Sequence, residues 1–339
     1  MKEFTKIAVL GGGSWGLAFA VHLHRCGLHA GIWEFNPEDA KLIYEKREHP
    51  DKLPGISIPR EIEVSDDIAR IAADAELIVL AIPSHAVREV SRQLPPILDK
   101  QQIILNLAKG LEVETLTRMS EVILAELGDE YEKTVMTLSG PSHAEEVSKQ
   151  IPTTVTIAGN DEENLKSVQE AITSDYFRVY TNTDLVGVEL AGSLKNIIAI
   201  AAGICDGLEF GDNTKGALLT RGLTEITRLG LAMGASQDTF AGLSGLGDLI
   251  TTCLSRHSRN RYVGEQIGRG KTLSKVLSQM KMVAEGVNTT NAAYRLSRKY
   301  GVEMPITDQM YAILFEEKAP LKAVNDLMSR DPKPEKIDE

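Results

Sequence analysis

Three cysteines in 339 residues, Cys26, Cys205 and Cys253, make an odd number with no CxxC pair and no zinc-like spacing. That excludes a disulfide framework and a structural zinc site as organising devices, and it suits free thiols in a reducing cytoplasm. Aromatic residues are scarce at 5%, and cations are outnumbered, 37 Lys and Arg against 48 Asp and Glu, for a formal net charge of -11. So acidic a surface repels phosphate polyanions, which argues against nucleic-acid binding and against a basic membrane-surface protein. Any anionic small molecule must be met by a local cationic cluster.

Long unbroken apolar runs are missing too. Lys2 and Lys6 followed by "IAVLGGGSWGLAFA" imitate a secretory leader down to Ala18, Phe19 and Ala20, but three consecutive glycines interrupt it, and its removal would delete a strand and a turn. In segment 185–208, Glu189, Lys195 and Asn196 leave only "IIAIAAGIC" uninterrupted, too short to span a bilayer. The expectation is a cytoplasmic protein without membrane insertion. With 42% hydrophobic and 25% charged residues the chain can bury a sizeable core, and its length points to two domains.

The first half alternates strand-like and helix-like segments. "TKIAVL" is a short apolar run, "GGGSWG" follows, and "LAFAVHLHRC" resumes with helical spacing. Gly11, Gly13 and Gly16 supply G-x-G-x-x-G between them, and a second strand, "HAGIWE", ends in an acidic residue 18 positions after Gly16. That is the context in which the pattern reads as a dinucleotide site: glycine permits the turn, and the amides at the helix N-terminus face a pyrophosphate. Glu34 then stands where a carboxylate accepts from the adenosine ribose hydroxyls and where a 2′-phosphate finds no nearby arginine, which favours NAD over NADP. The alternative is a solvated glutamate at a strand end.

Further apolar runs at 76–83, 102–108, 134–140 and 153–159 predict a mostly parallel sheet covered on both faces. Ligands of such sheets gather beyond the carboxyl ends of the strands, where "IPSH", "AKGLE" and "GPSHAEE" lie. Lys109, beside Gly110, is placed either to reach a substrate phosphate or nicotinamide, or simply in solvent. After "FRVYTNTD" strand-like runs cease. The expected division is a dinucleotide-binding domain over 1–183, a helical substrate-binding and catalytic domain over 184–330, and a polar tail over 331–339.

Within "LAGSLKNIIAIAAG" one lysine is ringed by Ala191, Leu194, Ile198, Ala199 and Ala202. Lys195 is no solvated-face residue: it snorkels, pairs structurally, or acts chemically. The run "GLSGLGDLITTCLSRHSRNRYVG" supplies glycines at 242, 245 and 247 for close backbone approach, then Asp248 opening a helical pattern. Ser258 reads as the N-cap of a further helix whose first amides, with Arg259, make an anion site; the alternative is a solvated, arginine-rich helix start.

Taken in order, "GGGSWG", "NLAKGLE", "GPSHAEE", "ELAGSLKNIIAIAAG", "GLGDLITTCLSRHSRNR" and "MVAEGV" resemble the successive motifs of the bacterial NAD(P)-dependent glycerol-3-phosphate dehydrogenases, over essentially the whole chain. The resemblance implies a Rossmann-type domain followed by an all-α domain, usually in a homodimer, reducing dihydroxyacetone phosphate to sn-glycerol 3-phosphate for phospholipid synthesis without a metal. It places the catalytic lysine on Lys195, with Lys109 and Asp248 as companions. Phosphate and glycerol contacts fall on Ser258, Arg259 and Asn260, with Lys109, Gly140 and Ser142. Cofactor contacts fall on Ser14, Trp15, Lys109, Ala144, Arg259, Val283 and Glu285. Members that use NADP often carry basic residues after the second strand, whereas this chain has Glu34, Phe35 and Asn36. Two other readings of the same residues are a related β-hydroxyacid or sugar-acid dehydrogenase, which binds a carboxylate, and an NADH-sensing regulator without turnover.

Overall fold

The computed structural model describes residues 4–99, 102–280, 282–332 and 334–335. Lys2 of the leader-like start, and Lys333 and 336–339 of the expected tail, lie outside the described residues. The chain divides into two compact units, one made of Met1–Lys109 and Thr117–Val188, the other of Gly110–Leu116 and Glu189–Glu339.

Among the described residues the first unit holds an eight-stranded sheet in the order β3-β2-β1-β4-β5-β6-β7-β8. Its strands are β1 Lys6–Leu10, β2 His29–Trp33, β3 Glu63–Ser65, β4 Leu77–Leu80, β5 Ile103–Asn106, β6 Val135–Ser139, β7 Thr153–Gly159 and β8 Phe177–Asn182. Its helices are α1 Ser14–Arg25, α2 Pro37–Lys46, α3 Ile68–Ala72, α4 Val87–Arg92, α5 Met119–Leu127, α6 Ala144–Val147 and α7 Glu162–Ile172. The central strands are buried on both faces, so "KIAVL", "LIVL" and "IILN" read as continuous apolar runs instead of alternating. Leu17, Phe19 and Val21 of α1 pack with Val168 and Ile172 of α7 in one core, and Val90 of α4 packs with Val122 and Ile123 of α5 in the other. Strand order reverses at β1, and dinucleotides bind beyond the strand ends at such a switch point.

One strand departs from the parallel run. β7 pairs antiparallel with β6, Thr137 opposite Ala158, whereas β8 returns parallel to β7. A parallel crossover needs a helix long enough to carry the chain back along the sheet. Only the four-residue α6 stands between β6 and β7, whereas the 11-residue α7 joins β7 to β8.

The helices that follow are α8 Leu185–Gly207, whose first residues belong to the first unit, then α9 Asp212–Ala232, α10 Gln237–Ala241, α11 Asp248–Leu254, α12 Arg259–Gly268, α13 Leu273–Leu277, α14 Glu285–Tyr300, α15 Pro305–Phe315 and α16 Pro320–Met328. α8 and α12 cross at backbone contact: a Cβ on Gly203 would meet the Arg261 carbonyl oxygen at 1.9 Å, and one on Gly264 would meet that of Ile200 at 1.9 Å. Buried Glu225 of α9 accepts from the Ile306 and Thr307 amides at 2.6 and 3.2 Å, capping the start of α15.

The reading of 185–208 needs a correction. By length and a mean hydropathy of 1.6, α8 does pass as long and apolar enough to cross a membrane despite Glu189 and Lys195. What marks it as a core helix is that 94% of its most apolar window is buried inside the protein.

Candidate active site

In the first unit, β1 runs into the glycine turn and α1. Gly11 sits at φ 123, where its Cβ would meet the Ala81 carbonyl oxygen at 2.4 Å, and a Cβ on Gly16 would lie 1.9 Å from the Gly11 carbonyl oxygen. Neither position admits a side chain, so the turn and the segment after β4 close together at the switch point. Gly13, the residue before α1, has nothing within 4 Å of a built Cβ, no side chain caps the helix start, and no acidic residue occupies the first turn formed from Ser14, Trp15 and Gly16. The helix start is therefore open to an anion, as a bound pyrophosphate requires.

Glu34 lies over this turn, and a Cβ on Gly12 would approach its Oε2 to 2.5 Å. It is 7% exposed, which rules out a solvated strand-end residue. Beside it stands a cation that the sequence does not announce: Lys52 Nζ lies 2.9 Å from its Oε2, while the Asn36 amide donates to Oε1 at 3.1 Å. Lys52 stands in the loop after α2, which has no periodic pattern to announce it.

Beyond β5, buried Asn106 shapes the turn that carries Lys109: its Nδ2 donates to the Ala108 carbonyl at 3.1 Å, and its Oδ1 accepts from the Ala108 amide at 3.0 Å. Lys109 Nζ and Ser142 Oγ both donate to the Gly140 carbonyl, at 3.0 and 3.1 Å, so these predicted residues form one group. Gly140 turns the chain at φ 126, and Ala144 opens α6 nearby in sequence.

In the second unit Lys195 is 4% exposed, so it does not snorkel. Its ammonium donates to Asp248 Oδ1 at 2.7 Å and to Thr252 Oγ1 at 2.5 Å, and the Thr252 hydroxyl donates in turn to Asp248 Oδ1 at 3.2 Å. Asp248 and Thr252, one turn apart on α11, thus present a carboxylate and a hydroxyl to one amine. The turn of π-helix over Leu243–Gly247 leads into α11, and close approach is met at Gly245, where a Cβ would lie 2.0 Å from the Phe240 carbonyl oxygen. Thr252 escapes a reading for isolated charges, although its four-residue spacing from Asp248 is the signal that finds it. Beside it, burial pushes the Cys253 thiol up to about 12, keeping it protonated and unreactive.

Ser258 caps α12 as expected, its Oγ accepting from the Arg261 amide at 3.2 Å. Arg259 is exposed at the first position of that helix. Arg261 is half-buried, its Nε donating to Asp206 at 2.6 Å, so Arg259 and Arg261 divide into a surface residue and a structural one. Asn260 ties three elements together: its Nδ2 donates to Asn196 Oδ1, and its Oδ1 accepts from the Gly286 amide, both at 2.9 Å. Gly286 belongs to the start of α14, where Glu285 is the first residue and Val283 lies just before.

A Rossmann-type nucleotide turn and, in the same chain, a helical unit with a buried lysine–aspartate pair define a nicotinamide-dependent dehydrogenase. The family model described as the N-terminus of NAD-dependent glycerol-3-phosphate dehydrogenase matches residues 6–165, and that of its C-terminus matches 184–325. The chain is 53% identical over 330 residues to an NAD(P)+ glycerol-3-phosphate dehydrogenase of Thermoanaerobacter sp. (strain X514), covering 97% of this chain and 98% of that one. It is also 53% identical over 329 residues to the enzyme of that name from Prosthecochloris aestuarii, with 97% and 99% covered. The crystal structure of glycerol-3-phosphate dehydrogenase from Coxiella burnetii superposes with a TM-score of 0.92 at 37% identity, over 96% of this chain and 99% of that one. The chain belongs to the NAD-dependent glycerol-3-phosphate dehydrogenase family.

Proposed function

We propose that this chain reduces dihydroxyacetone phosphate to sn-glycerol 3-phosphate, reversibly, with NADH or NADPH, and so supplies glycerophospholipid synthesis. The observation that carries the proposal is the buried Lys195 ammonium, held between Asp248 and Thr252. The nicotinamide, when bound, supplies the hydride. Lys195 gives a proton to the ketone oxygen as negative charge builds on it, passing from ammonium to amine, and takes the proton back from the hydroxyl in reverse. Asp248 balances the charge of the ammonium form, and the Thr252 hydroxyl fixes its direction.

Exposed Arg259, the first residue of α12, is the cation for the substrate phosphate, with Ser258 and Asn260 beside it. The family resemblance adds Lys109, Gly140 and Ser142 to the substrate contacts, and Ser14, Trp15, Ala144, Val283 and Glu285 to those of the dinucleotide. The first unit is then the cofactor-binding part and the second the catalytic part. NAD is slightly favoured, because the buried Glu34 carboxylate over the turn suits a ribose diol. A cytoplasmic homodimer belongs to the same reading, and free Cys26, Cys205 and Cys253 suit a reducing compartment.

The test is oxidation of NADH and of NADPH by dihydroxyacetone phosphate, run beside a carboxylate analogue of the ketose. Turnover confined to the phosphorylated ketose is expected, and turnover of the carboxylate alone would move the chain to the β-hydroxyacid enzymes. No turnover with either compound would point to a protein that only binds the dinucleotide.

A further inference from the structure

Glu34 shares a corner of the first unit with three other polar side chains. The Lys52 ammonium that meets Glu34 also lies 2.8 Å from Asp39 Oδ2, on the first turn of α2. Lys52 is brought there by a tight turn closed by the Leu53 amide on the His49 carbonyl at 3.0 Å. Its own main chain is fixed at both ends: the amide donates to His49 Nδ1 at 3.2 Å, and the carbonyl accepts from Ser14 Oγ at the start of α1. His49 Nδ1 accepts from the Asp51 amide as well, at 3.3 Å, so the ring proton sits on Nε2, which lies 3.5 Å from Asp39 Oδ1. The ammonium is therefore tied by its backbone to the nucleotide turn, and its side chain is 22% exposed.

The charges at this corner are two carboxylates and one ammonium. Burial alone would lower the Lys52 pKa, but the hydrogen bonds to Asp39 and Glu34 outweigh it and keep the amine charged. The bond from Lys52 likewise holds the Asp39 carboxyl below its ordinary range. A ribose 2′-hydroxyl offers a donor, which a carboxylate accepts; a 2′-phosphate brings only acceptors and negative charge, which need a cation. Glu34 alone answers the first demand and opposes the second. Lys52, already bonded to Glu34, answers the second without removing the carboxylate.

We propose that Lys52 admits a 2′-phosphorylated adenosine dinucleotide to this site, and that Asp39, by competing for the same ammonium, sets how well it does so. The inference rests on the reading that Glu34 lies at the adenosine ribose. Under it the chain carries both answers at one corner, a carboxylate for the diol and an ammonium for the phosphate, and cofactor choice turns on a residue 18 positions beyond Glu34.

The experiment measures calorimetric binding of 5′-AMP and of adenosine 2′,5′-bisphosphate to the full chain and compares the ratio of their dissociation constants. Lys52→Met is expected to shift the ratio against the bisphosphate by about tenfold, equivalent to ~1.4 kcal/mol. Asp39→Asn, which leaves the Lys52 ammonium with one carboxylate partner, should shift it the other way by up to about fivefold, the scale of a partly exposed ion pair. Mere loosening of the loop weakens both nucleotides together and leaves the ratio where it was. Glu34→Gln serves as the reference. Should it move the ratio toward the bisphosphate while the Lys52 and Asp39 variants do not, the role of Lys52 is refuted and that of Glu34 stands. A ratio unmoved by all three variants overturns both.

Discussion

Lys195 Nζ and Asp248 Oδ1 lie 2.7 Å apart in the interior of the helical unit, with 5% and 3% of their side chains exposed. A buried pair of this kind is costly to break from one side, because the remaining charge is stranded away from water. Lys195 is also proposed to carry the proton transfer, so its structural and chemical roles must be separated by experiment.

Lys195→Met should lower turnover with dihydroxyacetone phosphate by ~10²–10⁴, the range of a lost general acid. It should also destabilise the fold by about 3–5 kcal/mol, since Asp248 remains buried without its ammonium. The double variant Lys195→Met with Asp248→Leu removes both charges and is expected to regain most of the stability and none of the activity. Urea unfolding and turnover on the same preparations decide it. Activity restored with the fold would mean that Lys195 has no chemical role.

Much of this arrangement is legible in the chain before any coordinates. Lys195 stands out as a single charge in an apolar helix, and the nucleotide turn declares itself through Gly11, Gly13 and Gly16 between two strands. Lys52 does not, because it reaches Glu34 through a turn whose shape is set by His49 and Ser14, contacts made across 3 and 38 positions. The reversal of β7 is hidden for a different reason: "TTVTIAG" has the same β-branched character whichever way the strand runs. Asn260 is legible as a polar residue at a helix start, but its bonds to Asn196 and Gly286 come from the packing of α12 against α8 and α14.

Arg259 and Arg261 are predicted to behave differently although they share one helix turn. Arg259→Ala should raise KM for the ketose phosphate by about ten- to a hundredfold, the ~1.5–3 kcal/mol of a charged hydrogen bond, with a smaller change in kcat. Arg261→Ala breaks the bond to Asp206, which keeps Lys215 at 2.5 Å, and should lower stability with little effect on KM. Initial-rate kinetics on both variants settle the assignment, and equal KM effects would place the phosphate elsewhere.

The crossing of α8 and α12 depends on the missing side chain at Gly264. Gly264→Ala places a methyl group 1.9 Å from the Ile200 carbonyl oxygen, and backbone cannot turn aside as a side chain does. The helices must part, which should destabilise by about 1–3 kcal/mol or more and lower activity, since α8 carries Lys195 and α12 carries Arg259. Gly216→Ala in α9 is the control: nothing lies within 4 Å of its added Cβ, so it should stabilise by ~0.4–1 kcal/mol. Thermal unfolding of both variants, moving in opposite directions, is the expected result.

His22 makes stability sensitive to mild acid. It is buried in α1, its Nε2–H donating to the Ile172 carbonyl at 2.8 Å and its Nδ1 accepting from the Tyr176 hydroxyl at 2.8 Å, against the ring of Phe177. Burial lowers its pKa from 6.5 to about 4, outweighing the Ile172 carbonyl, which favours the charged ring. The folded value lies below the unfolded one, so on acidification the unfolded chain takes the proton first. The contribution is fully present above pH 6.5, is lost as pH falls from 6.5 toward 4, and changes no further below that. Between pH 7 and pH 5 the loss from this residue amounts to about 2 kcal/mol. His22→Gln, which has no such titration, should lie below the wild type in stability at pH 7 and close that gap by about 2 kcal/mol at pH 5. Subtracting the two curves cancels the acid response common to both proteins, so a gap that stays constant across this range would mean that His22 does not carry the linkage.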